Sequence, residues 1–242
     1  MSRPRPIITL DGPSGCGKST AAAGLAKALG WLYLDTGAMY RAVAWQSLQA
    51  GVALSDARRL AALARRARVT LQHNAQHRLR VAVNGRDVTR AIRTAAAAAR
   101  ASEIAVIPAV RRALVATQQR LGRRGRIVAE GRDTGTVVFP DAAWKFYLTA
   151  STAVRARRRW RELQAAGAAL SYAQVLCAQR ARDRRDTRRA ASPLRRAPGA
   201  VVVETSRRSP AQTLRTLLRY LKRHPVRRPA PGGDGVHKKG WL

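Results

Sequence analysis

The run Gly12-Pro13-Ser14-Gly15-Cys16-Gly17-Lys18-Ser19-Thr20 constrains this chain more than any other feature. It meets the pattern G-x-x-x-x-G-K-[ST] at every fixed position. A short apolar run, Ile7 to Leu10, precedes it, and a helix-like stretch, Ala21 to Leu29, follows. That order of strand, glycine-rich turn and helix N-terminus is the context a phosphate-binding P-loop requires. Glycines let the backbone wrap an anion with its N–H groups pointing inward, and the helix dipole adds positive potential there. Lys18 supplies a mobile cation and Ser19 a hydroxyl able to hold Mg²⁺. Residues Gly12 to Thr20 are therefore the expected nucleotide-binding segment.

Further short apolar runs read as buried strands: Trp31 to Leu34, Ile127 to Ala129, Trp144 to Leu148 and Ala200 to Val203. Helical stretches separate them, so the fold class expected is α/β, a P-loop NTPase fold with a central parallel sheet flanked by helices. The first strand must be central if its loop is to form the crevice at the carboxyl edge of the sheet. One segment breaks the alternation. Val69 to Gln72 and Leu79 to Val83 flank the polar stretch His73 to Arg78, and Asn84-Gly85-Arg86-Asp87 makes a turn, which reads as a small antiparallel insertion. Ile92 to Arg120 is helical with a break at Pro108. A polar insertion, Ser151 to about Arg189, contains a capping box at Ser171-Gln174 and a helix-ending Gly167. A last helix starts at Ser209-Pro210, with Leu214, Leu217, Leu218 and Leu221 facing the core.

The 47 Lys and Arg against 13 acids give a formal charge of +34. Such a surface attracts any polyanion at low salt. The arginines are spread through the helical stretches, and aromatics make up only 5%, so no base-stacking surface for nucleic acid is expected. Two cysteines, Cys16 and Cys177, define no disulfide framework, and no apolar run approaches membrane-spanning length. A cytoplasmic monomer is expected. Residues 1–223 form one domain, with an insertion at about 62–106 and a lid at about 151–190. Residues 224–242, rich in Pro, Gly and cations, read as a disordered tail.

Three more clusters carry chemistry. Asp35-Thr36-Gly37-Ala38-Met39-Tyr40-Arg41 follows the second strand, where a carboxylate can hold the metal's water and an arginine can clamp a second phosphate. Glu130-Gly131-Arg132-Asp133 follows the third, with Glu130 in a Walker-B-like place. In Arg182-Asp183-Arg184-Arg185-Asp186-Thr187-Arg188-Arg189, helical spacing puts Arg182, Asp186 and Arg189 on one face. Ser19, Asp35 and Glu130 are the candidate metal ligands.

In this order and at these separations, the four clusters resemble the bacterial cytidylate kinases, a nucleoside monophosphate kinase family. The likeness runs from Ile7 to about Leu221. It implies phosphoryl transfer from ATP, with Mg²⁺, to the small molecules CMP and dCMP. It also implies that Lys18, Arg132, Arg182, Asp186 and Arg189 take part in catalysis. The acceptor would be held by Thr36, Arg41, Arg132, Asp186 and Arg189, and its cytosine read by Ser102, Arg111 and Asp133. Arg155, Arg158 and Arg159 are similar to further lid arginines. An acidic side chain accepts a hydrogen bond from the cytosine N4 amine, where uracil presents an acceptor, so UMP is the expected poor substrate. The alternatives are a P-loop kinase for another small acceptor, or a basic nucleic-acid-binding P-loop ATPase. Cys16, beside Lys18 at a helix N-terminus, is in a setting that activates thiols. Its alkylation is expected to block activity, with bound ATP protecting.

Overall fold

The structure, a computed structural model, describes residues 5–73 and 79–225. Strands β1 (Arg5–Asp11), β2 (Leu32–Asp35), β6 (Ile127–Gly131), β7 (Ala142–Thr149) and β8 (Val201–Glu204) form one sheet in the order β2-β6-β1-β7-β8. Every pairing in it is parallel. The strand that leads into the P-loop is central, as the sequence predicts.

Alternation along the strands sends successive side chains into two cores. Ile7, Ile127 and Ala129 join Leu34, Met39, Leu60, Leu114 and Phe139 on one face. Ile8, Leu10 and Val128 join Leu25, Phe146, Leu148 and Leu217 on the other. The first face is covered by α2 (Thr36–Gln49), α3 (Ala57–Arg66) and α5 (Pro108–Leu121), the second by α1 (Lys18–Leu29) and α8 (Pro210–Arg223). A sheet covered on both sides explains why its strands read as continuous apolar runs. In α8, Leu217 and Leu221 are buried and Leu214 and Leu218 pack beside them, fulfilling the stripe. Ser209 and Gln212 close a capping box at its start.

The insertion is a separate antiparallel sheet, β3 (Val69–His73), β4 (Leu79–Val83) and β5 (Arg86–Asp87). Most of the polar stretch between β3 and β4 lies outside the described residues, as does the tail beyond residue 225. The helical stretch after β5 divides into α4 (Ala95–Ile104) and α5, with Pro108 the first residue of α5, where its missing N–H costs nothing. The segment expected to form a lid is α6 (Thr152–Ala165) packed on α7 (Tyr172–Arg188), with the Ser171–Gln174 capping box formed. Trp160 Nε1 donates to the Leu170 carbonyl at 3.0 Å, fastening the connection between the two helices.

One expectation is corrected. Arg189 does not continue the helical face of Arg182 and Asp186. It is the C-cap of α7, with extended dihedrals of φ −62° and ψ 138°. Helical hydrogen bonding stops there, and Arg189 swings its guanidinium toward Asp133, 3.8 Å away, while remaining 4.0 Å from Asp186.

Candidate active site

The P-loop leaves the carboxyl end of β1 through Gly12, whose φ is +150° and whose added Cβ would lie 2.0 Å from the Leu148 carbonyl oxygen. The loop can therefore pass this close to β7 only with glycine there. Gly17, at φ +91°, then caps α1, leaving the first N–H groups of the helix free for an anion. Lys18 is nearly buried and its ammonium donates to the Pro13 carbonyl at 2.7 Å. Burial pushes the Lys18 pKa down.

Residues Ser14 to Thr20 line one end of a cavity of about 680 Å³. Gly12 and Pro13, also expected among the nucleotide contacts, are not in that lining; they form the turn out of β1, where the Pro13 carbonyl receives Lys18. The Cys16 thiol is also corrected. Its side chain is wholly buried, in the core that also holds Leu10, Leu25 and Leu148, and its sulfur lies 3.7 Å from the Lys18 ammonium.

Above the loop stand the candidate metal ligands. Asp35 caps α2 by accepting from the Ala38 N–H at 2.8 Å and pairs with Arg41 at 2.9 Å. Glu130 accepts from the Tyr33 hydroxyl at 2.5 Å. Burial and the neighbouring Asp35 charge push its carboxyl up. Among the described residues no three acidic, His or Cys side chains form a ready cage for a metal. Ser19, Asp35 and Glu130 nevertheless line the same cavity and offer only hard oxygens, the donor set that suits Mg²⁺ when phosphates and waters complete its shell. The residues fit that ion.

The rest of the cavity is a connected array of charges. Arg132 donates from Nε to Asp186 Oδ2 at 2.8 Å, joining the loop after β6 to α7. Asp186 lies below the usual carboxylate range: burial raises it, but the Arg132 charge and hydrogen bond, with Arg182 and Arg189, outweigh that. Arg182 has a buried Nε without a hydrogen-bond partner among the described residues, and burial beside Arg132 pulls its pKa down to about 10. Both Arg132 and Arg182 are close enough to Lys18 to act on its charge. Beyond Arg189 comes Asp133, whose carboxylate binds Arg111, and Arg111 lies over the Tyr40 ring at 5.5 Å. Ser102, on α4, accepts from Arg185 of the lid at 3.3 Å. Thr36 donates its hydroxyl to the Glu130 carbonyl at 2.6 Å, so this side chain braces β6 while lining the cavity.

The structure thus gathers into one cavity Lys18, Ser19, Asp35, Thr36, Arg41, Ser102, Arg111, Glu130, Arg132, Asp133, Arg182, Asp186 and Arg189. Arg158 and Arg159 line it too. Arg155 does not: it is buried behind the P-loop. Sequence reading passed over Tyr40, whose hydroxyl is buried and unpartnered, although it stands inside the quoted run from Asp35 to Arg41. Arg93 was missed with no signal in the sequence. Asp11, just past the apolar run Ile7 to Leu10, was missed because no local pattern singles it out. Its buried carboxylate accepts from the Thr134 N–H and hydroxyl and the Gly135 N–H at 2.7–2.8 Å, fixing the loop that carries Arg132 and Asp133.

A parallel sheet with a P-loop at its central strand, and a cavity lined by cations running out from that loop, define a P-loop NTPase-like α/β protein. Comparison with known proteins narrows this. A family model described as cytidylate kinase matches residues 8–223. The cytidylate kinase of Desulfitobacterium hafniense (strain Y51) is 47% identical over 199 residues, 82% of this chain and 85% of that protein. That of Solibacter usitatus (strain Ellin6076) is 44% identical over 220 residues, 90% of this chain and 93% of that one. A bifunctional pantoate ligase/cytidylate kinase of Synechococcus sp. (strain JA-3-3Ab) is 45% identical over 220 residues, 90% of this chain and 41% of that protein. The chain spans about two fifths of the length of such bifunctional relatives. The chain belongs to the cytidylate kinase family. Among the described residues, no helix is long and apolar enough to cross a membrane.

Proposed function

We propose that this chain transfers the terminal phosphoryl group of ATP to CMP and dCMP, giving ADP with CDP or dCDP. The observation that carries the reading is the series of charge pairs from Arg132 through Asp186 and Arg189 to Asp133 and Arg111, in the same cavity as Lys18. A phosphate-binding loop stands at its donor end. A carboxylate held by two guanidiniums, suited to an amino-pyrimidine, stands at the other.

The donor triphosphate lies in the inward N–H groups of Ser14 to Thr20, and Lys18 exchanges the Pro13 carbonyl for a phosphate oxygen. Ser19, Asp35 and Glu130 would hold Mg²⁺, which would supply neutralising positive charge to the donor phosphates. Arg41 and Arg132 hold the acceptor α-phosphate. That phosphate is already an anion, so its attack needs no strong general base. Arg182, still protonated at neutral pH, has its partnerless Nε to give to the migrating group, with Arg189 alongside. Asp186 orients Arg132 and meets the sugar hydroxyls. Asp133 accepts from the cytosine N4 amine, with Ser102 and Arg111 beside it. The lid over both ligands keeps water from the γ-phosphate. The protein acts as a cytoplasmic monomer on these small molecules, with residues 1–223 as its catalytic domain.

A coupled assay with Mg-ATP and CMP, dCMP or UMP tests this. CDP and dCDP formation, with UMP poorly used, is expected. Preference for a non-cytidine acceptor overturns the assignment. So does nucleic-acid-stimulated ATP hydrolysis that ignores CMP.

A further inference from the structure

A loop that turns its N–H groups toward phosphate turns its carbonyls the other way, and those carbonyls need donors from elsewhere. In this chain Pro13 receives Lys18 at 2.7 Å, Gly15 receives Arg158 at 3.4 Å and Cys16 receives the Thr205 hydroxyl at 2.8 Å. Ser14 receives two donors, Arg155 Nη1 at 3.2 Å and Gln179 Nε2 at 3.1 Å. Both come from the lid, one from α6 and one from α7, and both side chains are buried.

One carboxylate organises the pair. Asp183 Oδ1 accepts from Arg155 Nη1 at 3.1 Å and from Gln179 Nε2 at 3.3 Å, while its Oδ2 lies 2.9 Å from Arg155 Nη2. Arg155 Nε donates to the Ala150 carbonyl and Nη2 to the Thr152 hydroxyl, so every N–H of the guanidinium has an acceptor. A buried guanidinium so completely engaged has one available orientation, and Ser14 lies on it.

We infer that Asp183 is a positioning residue for the donor loop, holding the Ser14 carbonyl through Arg155 and Gln179 so that the loop's N–H groups stay aimed at the triphosphate. The inference rests on the kinase reading above and assigns to the lid root a task separate from covering the ligands. Arg155 acts behind the phosphate loop and never reaches the transferring group. Asp183 and Gln179 stand on the same helix as Arg182 and Asp186, so one element carries both the bracket on the donor loop and the residues facing the cavity.

The test compares Asp183→Ala and Gln179→Leu with the unaltered full chain. Loss of a charge-assisted hydrogen bond corresponds to about tenfold in affinity. In Asp183→Ala the KM for ATP, and the dissociation constant for ATP measured calorimetrically without acceptor, are expected to rise about tenfold. In Gln179→Leu, which keeps the charge pair, they rise about threefold. The KM for CMP and the CMP-to-UMP preference stay within about twofold in both. If Asp183→Ala does not fold, Gln179→Leu decides by the same split. Unchanged ATP affinity overturns the inference, as does an equal rise in KM for both ligands, the mark of a general structural loss. Absence of CDP formation by the unaltered chain strikes the kinase reading instead, and the calorimetric arm still decides the role of Asp183.

Discussion

Arg132 Nε lies 2.8 Å from Asp186 Oδ2, so the loop after the β6 strand and the lid helix α7 are joined across the cavity by a charged hydrogen bond. Each side chain is mostly buried, at 18% and 9% exposure. Such a pair fixes the position of Arg132 in a site where placement and charge are the means of catalysis. Replacing Asp186 by Ala is expected to lower kcat about 100-fold, because Arg132 loses its anchor and the sugar its acceptor. Steady-state kinetics against CMP check this.

The same pair gives the protein an acid limit. The folded pKa of Asp186 lies below its unfolded value of about 3.9. The stabilisation is therefore fully present above the unfolded value and is lost as pH falls through the folded one. Melting curves of the wild type and Asp186→Asn should differ at pH 7 and converge below about pH 4. A gap that persists into stronger acid would show that the charge is not its source.

Asp133 is held by Arg111 and Arg189, with side chains only 4–8% exposed. Removing one partner of a buried pair leaves uncompensated charge. Asp133→Ala is thus expected to destabilise by about 3 kcal/mol and to cut the CMP-over-UMP preference at least about tenfold. Urea denaturation measures the first effect and relative kcat/KM the second.

Thiol titration distinguishes the two cysteines. Cys177 is exposed and Cys16 fully buried. In native protein only Cys177 should react, with activity retained, and Cys16 should appear after denaturation. Rapid native reaction of both thiols would contradict the packing around Cys16.

Gly12→Ala tests the approach of the loop to the sheet. Its Cβ would stand 2.0 Å from the Leu148 oxygen, an atom fixed in β7, on a backbone at φ +150°. A loss of about 2–4 kcal/mol is expected, read from the midpoint of urea unfolding.

Much of this molecule was legible in its sequence. The P-loop, the parallel strands, the antiparallel insertion, the Ser171 cap and the leucine stripe of α8 are local patterns. Each depends on periodicity, glycine geometry or capping chemistry acting within a few residues. The candidate site residues were also nameable, because their clusters lie at strand ends and on the lid, where an α/β sheet presents its ligands.

What no local pattern could decide was which way each side chain would turn. The sequence places Cys16 at an activating helix N-terminus, and the fold buries its side chain completely in the core shared with Leu10, Leu25 and Leu148. It puts Arg189 in register with Arg182, and the end of α7 turns it to Asp133 instead. It gives Asp11 no role and presents Arg155 as one more lid cation. Only the approach of residues more than a hundred positions apart makes the first a brace for the acceptor loop and the second a bracket for Ser14. Local preferences select the elements, whereas burial and the pairing of charges across the fold assign each polar group its partner.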